Sequence, residues 1–521
     1  MPTITINHIS VEVAEGTTVL QAAELLGITI PTMCYLHGYS NHPSCMVCLV
    51  KDLNTNHLLP SCALPVAEGM KISTNDSETL NARKEALELL MSDHVGDCEA
   101  PCRVICPAFM NIPKMNRLIA NNNFLEALKV VKEEIALPYT LGYICPAPCE
   151  KACRRAQLNE PVSICQLKKI TALVDAQQKN IFFPEKQNPK NKKVAIIGAG
   201  AAGLSAAFYL LKYGYECVIF DKNEKAGGEM RYNIPDNVLP KQVLDNEIDI
   251  IKQFGAQFIL NTEITPDFFE NQLQKNFDAT IFATGNYFGS NLELFPFKKT
   301  KFGIEVLKNS FAVNNSGVFA CGNVVSVRKM AVNSVAQGKE TALLVDMFLK
   351  QQTPLKPKPY FNSKFGKLFP SEIEEYKKET IDIQRIEKQQ GKFDDFSTAE
   401  AIQEAKRCMN CDCRKADNCK LRILSNEYEV NRKRFSFGER KLLKKYFQHE
   451  EIVYEPEKCI KCNLCVDIAA KNSELVGLTA INRGFNVVIG VPFQKSLKEA
   501  LQKTALLCAE KCPTGAISKK N

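Results

Sequence analysis

Residues 3–13 alternate polar and apolar side chains, Thr-Ile-Thr-Ile and then Ser-Val-Glu-Val, around Asn7-His8; this pattern predicts a β-hairpin. A short amphipathic helix is expected from Thr18 to Leu26. Residues 80–170 read as mainly helical, because Ala82 to Met91 and Asn123 to Glu134 carry apolar residues at helical spacing, with short loops between. The pattern then changes. Lys193-Val194-Ala195-Ile196-Ile197 predicts a buried strand, followed by a glycine-rich turn and a helix from Leu204 to Tyr213 that Gly214 ends. The apolar runs Cys217 to Phe220 and Ala279 to Phe282 predict further strands, and residues 351–395, rich in Lys, Gln, Pro and Glu, read as a linker.

A chain of 521 residues exceeds the size at which one hydrophobic core stops growing, so several domains are expected. No apolar run approaches the length that spans a bilayer, which predicts no direct membrane insertion. The net charge of +8 is spread over basic stretches interleaved with acids, which argues for a solvated or partner-docking face and against nucleic-acid binding.

Nineteen of the 22 cysteines fall into four blocks. The segment MPTITINHISVEV lacks a basic stretch followed by an apolar one, so the thiols are expected to be reduced ligands in the cytoplasm and not disulfides. The first block, Cys34, Cys45, Cys48 and Cys62, has the spacing C-x10-C-x2-C-x13-C, and four thiolates are what a 2Fe-2S cluster requires. Structural zinc sites usually use two short-spaced pairs, and only one pair is short here. PTMCYLHGYSNHPSCMVCLV and LPSCALPV resemble the N-terminal cluster domain of the large iron-sulfur subunit of respiratory complex I and of iron-only hydrogenases.

The second block holds Cys98, Cys102, Cys106, Cys145, Cys149, Cys153 and Cys165. CPAFMNIP and LGYICPAPCEKACRRAQLNEPVSI resemble the domain shared by the glutamate synthase small subunit and dihydropyrimidine dehydrogenase, which holds two 4Fe-4S clusters. The resemblance implies one cluster on Cys98, Cys102 and Cys153 and another on Cys106, Cys145, Cys149 and Cys165. Seven cysteines leave one coordination position open. His94, four residues before Cys98, is the candidate eighth ligand, as in the histidine-ligated cluster of complex I and the hydrogenases. The alternative is a histidine that caps or packs beside the site.

Gly198-Ala199-Gly200-Ala201-Ala202-Gly203 sits between the expected strand and helix, the context a dinucleotide fingerprint needs, and Asp221 closes the next strand where it can accept from a ribose hydroxyl. With Gly228 and Arg231 in GGEMRYNIP, Thr284 and Gly285 after the third strand, and Gly322 and Asn323 in GVFACGN, these residues resemble the FAD domain of the glutamate synthase small subunit. That family usually carries Asp where this chain has Asn323, and inserts a second glycine-rich domain for NAD(P)H where only about 30 residues separate Gly285 from Gly317. The resemblance therefore implies bound FAD without a nicotinamide domain in this chain. Cys217 and Cys321 read as core residues.

The third block is Cys408, Cys411, Cys413 and Cys419, its first ligand delivered by an amphipathic helix; EAKRCMNC echoes a glutamate synthase cluster segment, while zinc also accepts four thiolates. The last, Cys459, Cys462, Cys465 and Cys512, with RGFNV and CPTGAI, resembles another 4Fe-4S segment of the complex I subunit, leaving Cys508 over.

The expected fold class is multidomain α+β and α/β. It comprises a β-grasp 2Fe-2S ferredoxin-like domain (1–78), a helical domain with two 4Fe-4S clusters (79–190), a Rossmann-like FAD domain (191–350), the linker (351–395), a four-cysteine motif (396–425) and a C-terminal 4Fe-4S ferredoxin-like domain (426–521). The expected cofactors are FAD, one 2Fe-2S cluster and three to four 4Fe-4S clusters. The function implied is an oxidoreductase subunit that relays electrons between an NAD(P)H-oxidising flavoprotein and a terminal redox subunit or ferredoxin, of complex I-like, hydrogenase or formate dehydrogenase type. Two alternatives stand: a self-sufficient NAD(P)H-dependent reductase, and a cluster-bearing scaffold or redox sensor.

Overall fold

The computed structural model describes residues 1–178, 181–286, 294–301, 303–327, 329–364, 366–387, 395–438 and 440–520. The chain forms two compact units. The first gathers Met1–Ala100, Pro359–Glu379 and Asn410–Asn521, and the second gathers Pro101–Lys358 and Thr380–Met409.

The first unit opens with the expected hairpin. Strands Thr3–Ile6 and Ile9–Glu12 pair antiparallel through Asn7 and His8, both at positive φ, a conformation Asn and His tolerate better than most residues. Thr3–Ile6 also pairs parallel with Met70–Ser73, which pairs antiparallel with Leu49–Asp52, and His57–Pro60 forms the edge. Helix Val19–Leu25 begins at a capping box between Thr18 and Gln21 and buries Val19, Leu20, Ala22 and Ala23 in the core shared with Ile4, Ile6, Val50 and Ile72. In the later part of this unit, Ile452–Tyr454 pairs with Ile517–Lys519 and Thr479–Ile481 with Val488–Gly490, around helices Leu464–Lys471 and Ala505–Lys511.

The stretch expected as a linker is partly structured. It carries helix Pro370–Lys377, where fully buried Glu372 accepts from the amides of Phe369 and Leu443 at 2.9 Å and pairs with Arg440. Polar composition concealed it because the helix's charges are spent on internal hydrogen bonds. Residues 388–394 of that stretch lie outside the described residues.

The second unit contains an all-parallel sheet in the order Val318–Ala320, Ala279–Phe282, Lys193–Ile197, Glu216–Phe220, Gln257–Ile259. After exposed Lys193 and Glu216 at their starts, strands Lys193–Ile197 and Glu216–Phe220 are buried and apolar, and Ala279–Phe282 is buried throughout, as coverage of both faces requires. Helix Ala201–Lys212 crosses helix Ala331–Leu349 closely at Gly338, where a Cβ would lie 2.2 Å from the Ala202 carbonyl oxygen. The helical portion comprises Ile112–Ala120, Phe124–Lys132, Pro138–Ile144, Ile164–Ala176 and Thr398–Ala405, clamped by a buried Lys132–Asp175 ion pair at 3.3 Å. Among the described residues no helix is long and apolar enough to cross a membrane.

Candidate redox sites

A cavity of about 690 Å³ opens at the carboxyl ends of the parallel strands, lined by Ile197, Phe220 and Phe282 from the strand ends. This is within the usual range for cofactor sites. Gly200 caps helix Ala201–Lys212 without any side-chain hydrogen bond, and with Ala201 and Ala202 of the first turn it lines the cavity, where a helix N-terminus favours a phosphate. The backbone there is too close for side chains: a Cβ on Gly203 would sit 1.9 Å from the Gly198 carbonyl oxygen, and one on Gly228 would sit 2.9 Å from the Gly200 Cα. Gly198, Gly200, Ala202, Asp221, Gly228, Thr284, Gly285, Gly322 and Asn323 all line the cavity. Asp221 is already engaged: Oδ2 accepts from the Ala199 amide at 2.7 Å and Oδ1 from Asn223 at 2.8 and 2.9 Å, which fixes the glycine loop to the next strand and leaves part of its acceptor capacity.

Arg231 is not among the lining residues. Its Nε donates to the Ala226 carbonyl at 2.5 Å and its guanidinium pairs with Asp245, so it braces the turn that carries Gly228. Polar lining groups such as Lys222, Asn223, Lys329 and Ser334 went unnoticed in the sequence, because no spacing rule marks them. The Thr284 hydroxyl is buried in the wall with no partner among the described residues, a polar atom a bound nucleotide would satisfy. The cradle therefore fits a dinucleotide.

Cys106, Cys145, Cys149 and Cys165 ring a small cavity in the same unit, together with Lys168, Ile164 and Val332. Cys165 is fully within reach of Cys145, and its amide donates to Glu150 at 2.9 Å. Cys153 lies in the field of Arg407, next to Cys408 in the chain; Cys102 also belongs to this unit.

In the first unit Cys34 and Cys45 approach to 3.4 Å between sulfurs. Hydrogen bonds from Cys45 and Cys62 hold the Cys34 thiol far below its ordinary range, and one from Cys62 lowers Cys48 to about 7, while the same hydrogen bonds and burial push the Cys45 and Cys62 thiols up, so Cys34 and Cys48 are the first of the four to form thiolates. Cys459, Cys462, Cys465 and Cys512 ring a second small cavity; Cys508 is buried and outside that ring.

One grouping differs from the expected one. The Cys413 amide donates to the Cys98 carbonyl at 3.1 Å, and burial followed by the Cys413 and Cys98 charges pushes the Cys419 thiol up to about 12. Cys98 thus meets Cys413 and Cys419 within the first unit, whereas Cys408 belongs to the second. His94 shares this neighbourhood: burial, then Lys458, lowers it to about 3, and Lys458 in turn lies in the field of Cys413. Its Nδ1 is buried without a partner among the described residues, and the neutral imidazole is the form that binds iron. One hydrophobic core holds Cys34, Cys45, Cys419 and Cys462 together. Among the described residues no three Cys, His, Asp or Glu side chains close on the point a single ion would occupy.

Residues 1–77 match the family of the 2Fe-2S iron-sulfur cluster binding domain, residues 75–180 that of dihydropyrimidine dehydrogenase domain II, 4Fe-4S cluster, and residues 196–259 that of the NAD(P)-binding Rossmann-like domain. Among curated proteins, the NADPH-Fe(3+) oxidoreductase subunit beta of Geobacter sulfurreducens is 35% identical over 45% of this chain and 35% of its own length. The NADP(+)-dependent formate dehydrogenase subunit beta of Moorella thermoacetica is 36% identical over 37% of this chain and 30% of its own. The glutamate synthase [NADPH] small chain of Bacillus subtilis is 35% identical over 34% of this chain and 36% of its own. The matched region is about a third of each relative's length. The chain thus joins a 2Fe-2S domain, a 4Fe-4S domain and a Rossmann-like domain, and is similar to subunits of an NADPH-Fe(3+) oxidoreductase and an NADP(+)-dependent formate dehydrogenase.

Proposed function

We propose that this chain is an FAD- and iron-sulfur-containing electron-transfer subunit of a cytoplasmic, multi-subunit NAD(P)H-linked oxidoreductase. One observation carries the reading. Ile144 and Ala331 line the nucleotide cavity, while their chain neighbours Cys145 and Val332 line the thiol cavity, so the two sites are separated by about one residue's width. A nicotinamide moves hydride and cannot feed a one-electron cluster directly, whereas bound FAD takes two electrons and releases them singly. The neighbouring thiols therefore favour FAD in the Rossmann cradle.

The proposed ligand sets are Cys34, Cys45, Cys48 and Cys62 for 2Fe-2S, and for 4Fe-4S clusters Cys106, Cys145, Cys149 and Cys165; Cys459, Cys462, Cys465 and Cys512; and His94, Cys98, Cys413 and Cys419. Cys102, Cys153 and Cys408 are proposed ligands of a further cluster; Cys411 stands in the field of Lys445. The shared core of Cys34, Cys419 and Cys462 supports a relay through the first unit. The partners in this reading are an NAD(P)H-oxidising flavoprotein and a terminal redox subunit or ferredoxin.

The chain is purified without oxygen, FAD and iron are quantified, and NADH or NADPH is added while flavin and cluster absorbance are followed. Bound FAD, several clusters and no rapid bleaching are expected. Rapid bleaching by nicotinamide alone favours the self-sufficient reductase, a reading the NAD(P)-binding family match keeps open; absence of FAD refutes the relay and favours a scaffold.

A further inference from the structure

Lys168 lies one helical turn after Cys165 on helix Ile164–Ala176, on the same face, and is 4% exposed. Its Nζ donates to the Leu141 carbonyl at 3.2 Å and stands 3.7 Å from the Cys165 sulfur. Those are the ammonium's contacts among the described residues: a carbonyl and a thiol. The carboxylate acting on the same thiols, Glu150, is paired with Arg385 at 2.8 Å. A buried ammonium needs a compensating anion, and the wall around this one offers four sulfurs, Cys106, Cys145, Cys149 and Cys165.

We propose that Lys168 is a fixed countercharge that raises the reduction potential of the cluster held by those four cysteines, biasing it to accept electrons from the adjoining nucleotide site. The assignment rests on the proposed ligand set. One-electron reduction adds one negative charge to the cluster and its thiolates; no bond breaks, and Lys168 keeps its proton. A cation at this distance stabilises the more negative, reduced form more than the oxidised one. Lys168 is a positioning residue for charge, not a ligand, since a protonated amine has no lone pair for iron.

The test uses the full anaerobic chain and a redox titration followed by electron paramagnetic resonance, with iron content measured alongside. Cys149→Ser first identifies the signal; if it removes no cluster, the ligand set has failed, independently of the charge assignment. Lys168→Met is expected to keep its iron and to shift the reduction equilibrium of that one cluster at least tenfold toward the oxidised form, about 59 mV for one electron. Lys168→Arg should stay close to the unaltered chain. Full iron with unchanged potentials in Lys168→Met overturns the proposal. If Lys168→Met loses iron, Lys168→Gln is compared with Lys168→Arg: a shift only in Gln supports the proposal and equal potentials overturn it. Loss of iron in all three, Arg included, also overturns it, because shape and not charge would then be required.

Discussion

Thr284→Val separates a ligand-facing hydroxyl from a structural one. The side chain sits at the end of strand Ala279–Phe282, and its buried Oγ1 has no partner among the described residues. Replacing it with a methyl of nearly equal volume removes an unsatisfied polar atom and creates no cavity, so the cofactor-free chain should be as stable as before or slightly more so. An unsatisfied buried hydroxyl costs roughly 1–3 kcal/mol, and even about 1 kcal/mol corresponds to a rise of about 2–4 °C in the melting of a unit this size. Binding should move the other way. A net hydrogen bond to the nucleotide contributes about 1 kcal/mol, so FAD affinity should fall about fivefold. FAD titration by fluorescence quenching and calorimetry of the cofactor-free chain measure both. A lowered melting temperature with unchanged affinity would refute the reasoning, because the hydroxyl would then be serving the fold.

Gly203→Ala drives a Cβ to 1.9 Å from the Gly198 carbonyl, a backbone atom that cannot swing aside, so FAD should be lost while cluster iron in the first unit stays; retained stoichiometric FAD would contradict the cradle. Arg407 and Glu404 are both fully buried and 2.7 Å apart, and Glu404 also accepts from the Ser163 and Ile386 amides. Arg407→Met leaves that carboxylate uncompensated, at a cost of roughly 3–5 kcal/mol, and calorimetry should show the second unit melting roughly 10 °C lower. Asp76 caps helix Ser77–Ser92; burial pushes its pKa up, but bonds from the Thr79 hydroxyl and amide hold it at about 2. Because the folded value is depressed, the cap's contribution is present above the ordinary value of about 3.9 and is lost as pH falls toward 2. Amide exchange across Ser77–Ser92 should accelerate over that window, and Asp76→Ala should remove the pH dependence.

Elements whose residues report only on themselves were readable in the sequence. The alternation around Asn7-His8, the apolar run at Lys193 and the glycines at 198, 200 and 203 reflect local backbone demands, and the described strands and turns lie where those demands place them. Arg231 was harder: a charged residue in a nucleotide-loop motif reads equally as a ligand contact or as a brace, and the deciding partner, Asp245, lies 14 residues on. Helix Pro370–Lys377 was hidden for a related reason, since Glu372 looks solvated until Arg440 arrives from a distant segment. Lys168 read as part of a helical pattern; only the convergence of four thiols on its ammonium distinguishes it.

The one-residue gap between Cys411 and Cys413 carried more information than its oddness suggested. The chain passes from the second unit to the first between Met409 and Asn410, that is, between Cys408 and the pair Cys411 and Cys413. The first unit ends its opening segment at Ala100, two residues after Cys98, and resumes for its last stretch at Asn410, three residues before Cys413. Cys98 and Cys413 are near neighbours within one unit, joined by a 3.1 Å backbone hydrogen bond, although 315 positions apart in the chain. Cys408 thus lies at the end of the second unit and Cys411 and Cys413 where the first resumes, which supports dividing the third cysteine block between two of the proposed ligand sets. The consequence is specific: Cys413→Ser should abolish the same spectroscopic signal as His94→Ala, and Cys408→Ser should leave that signal intact.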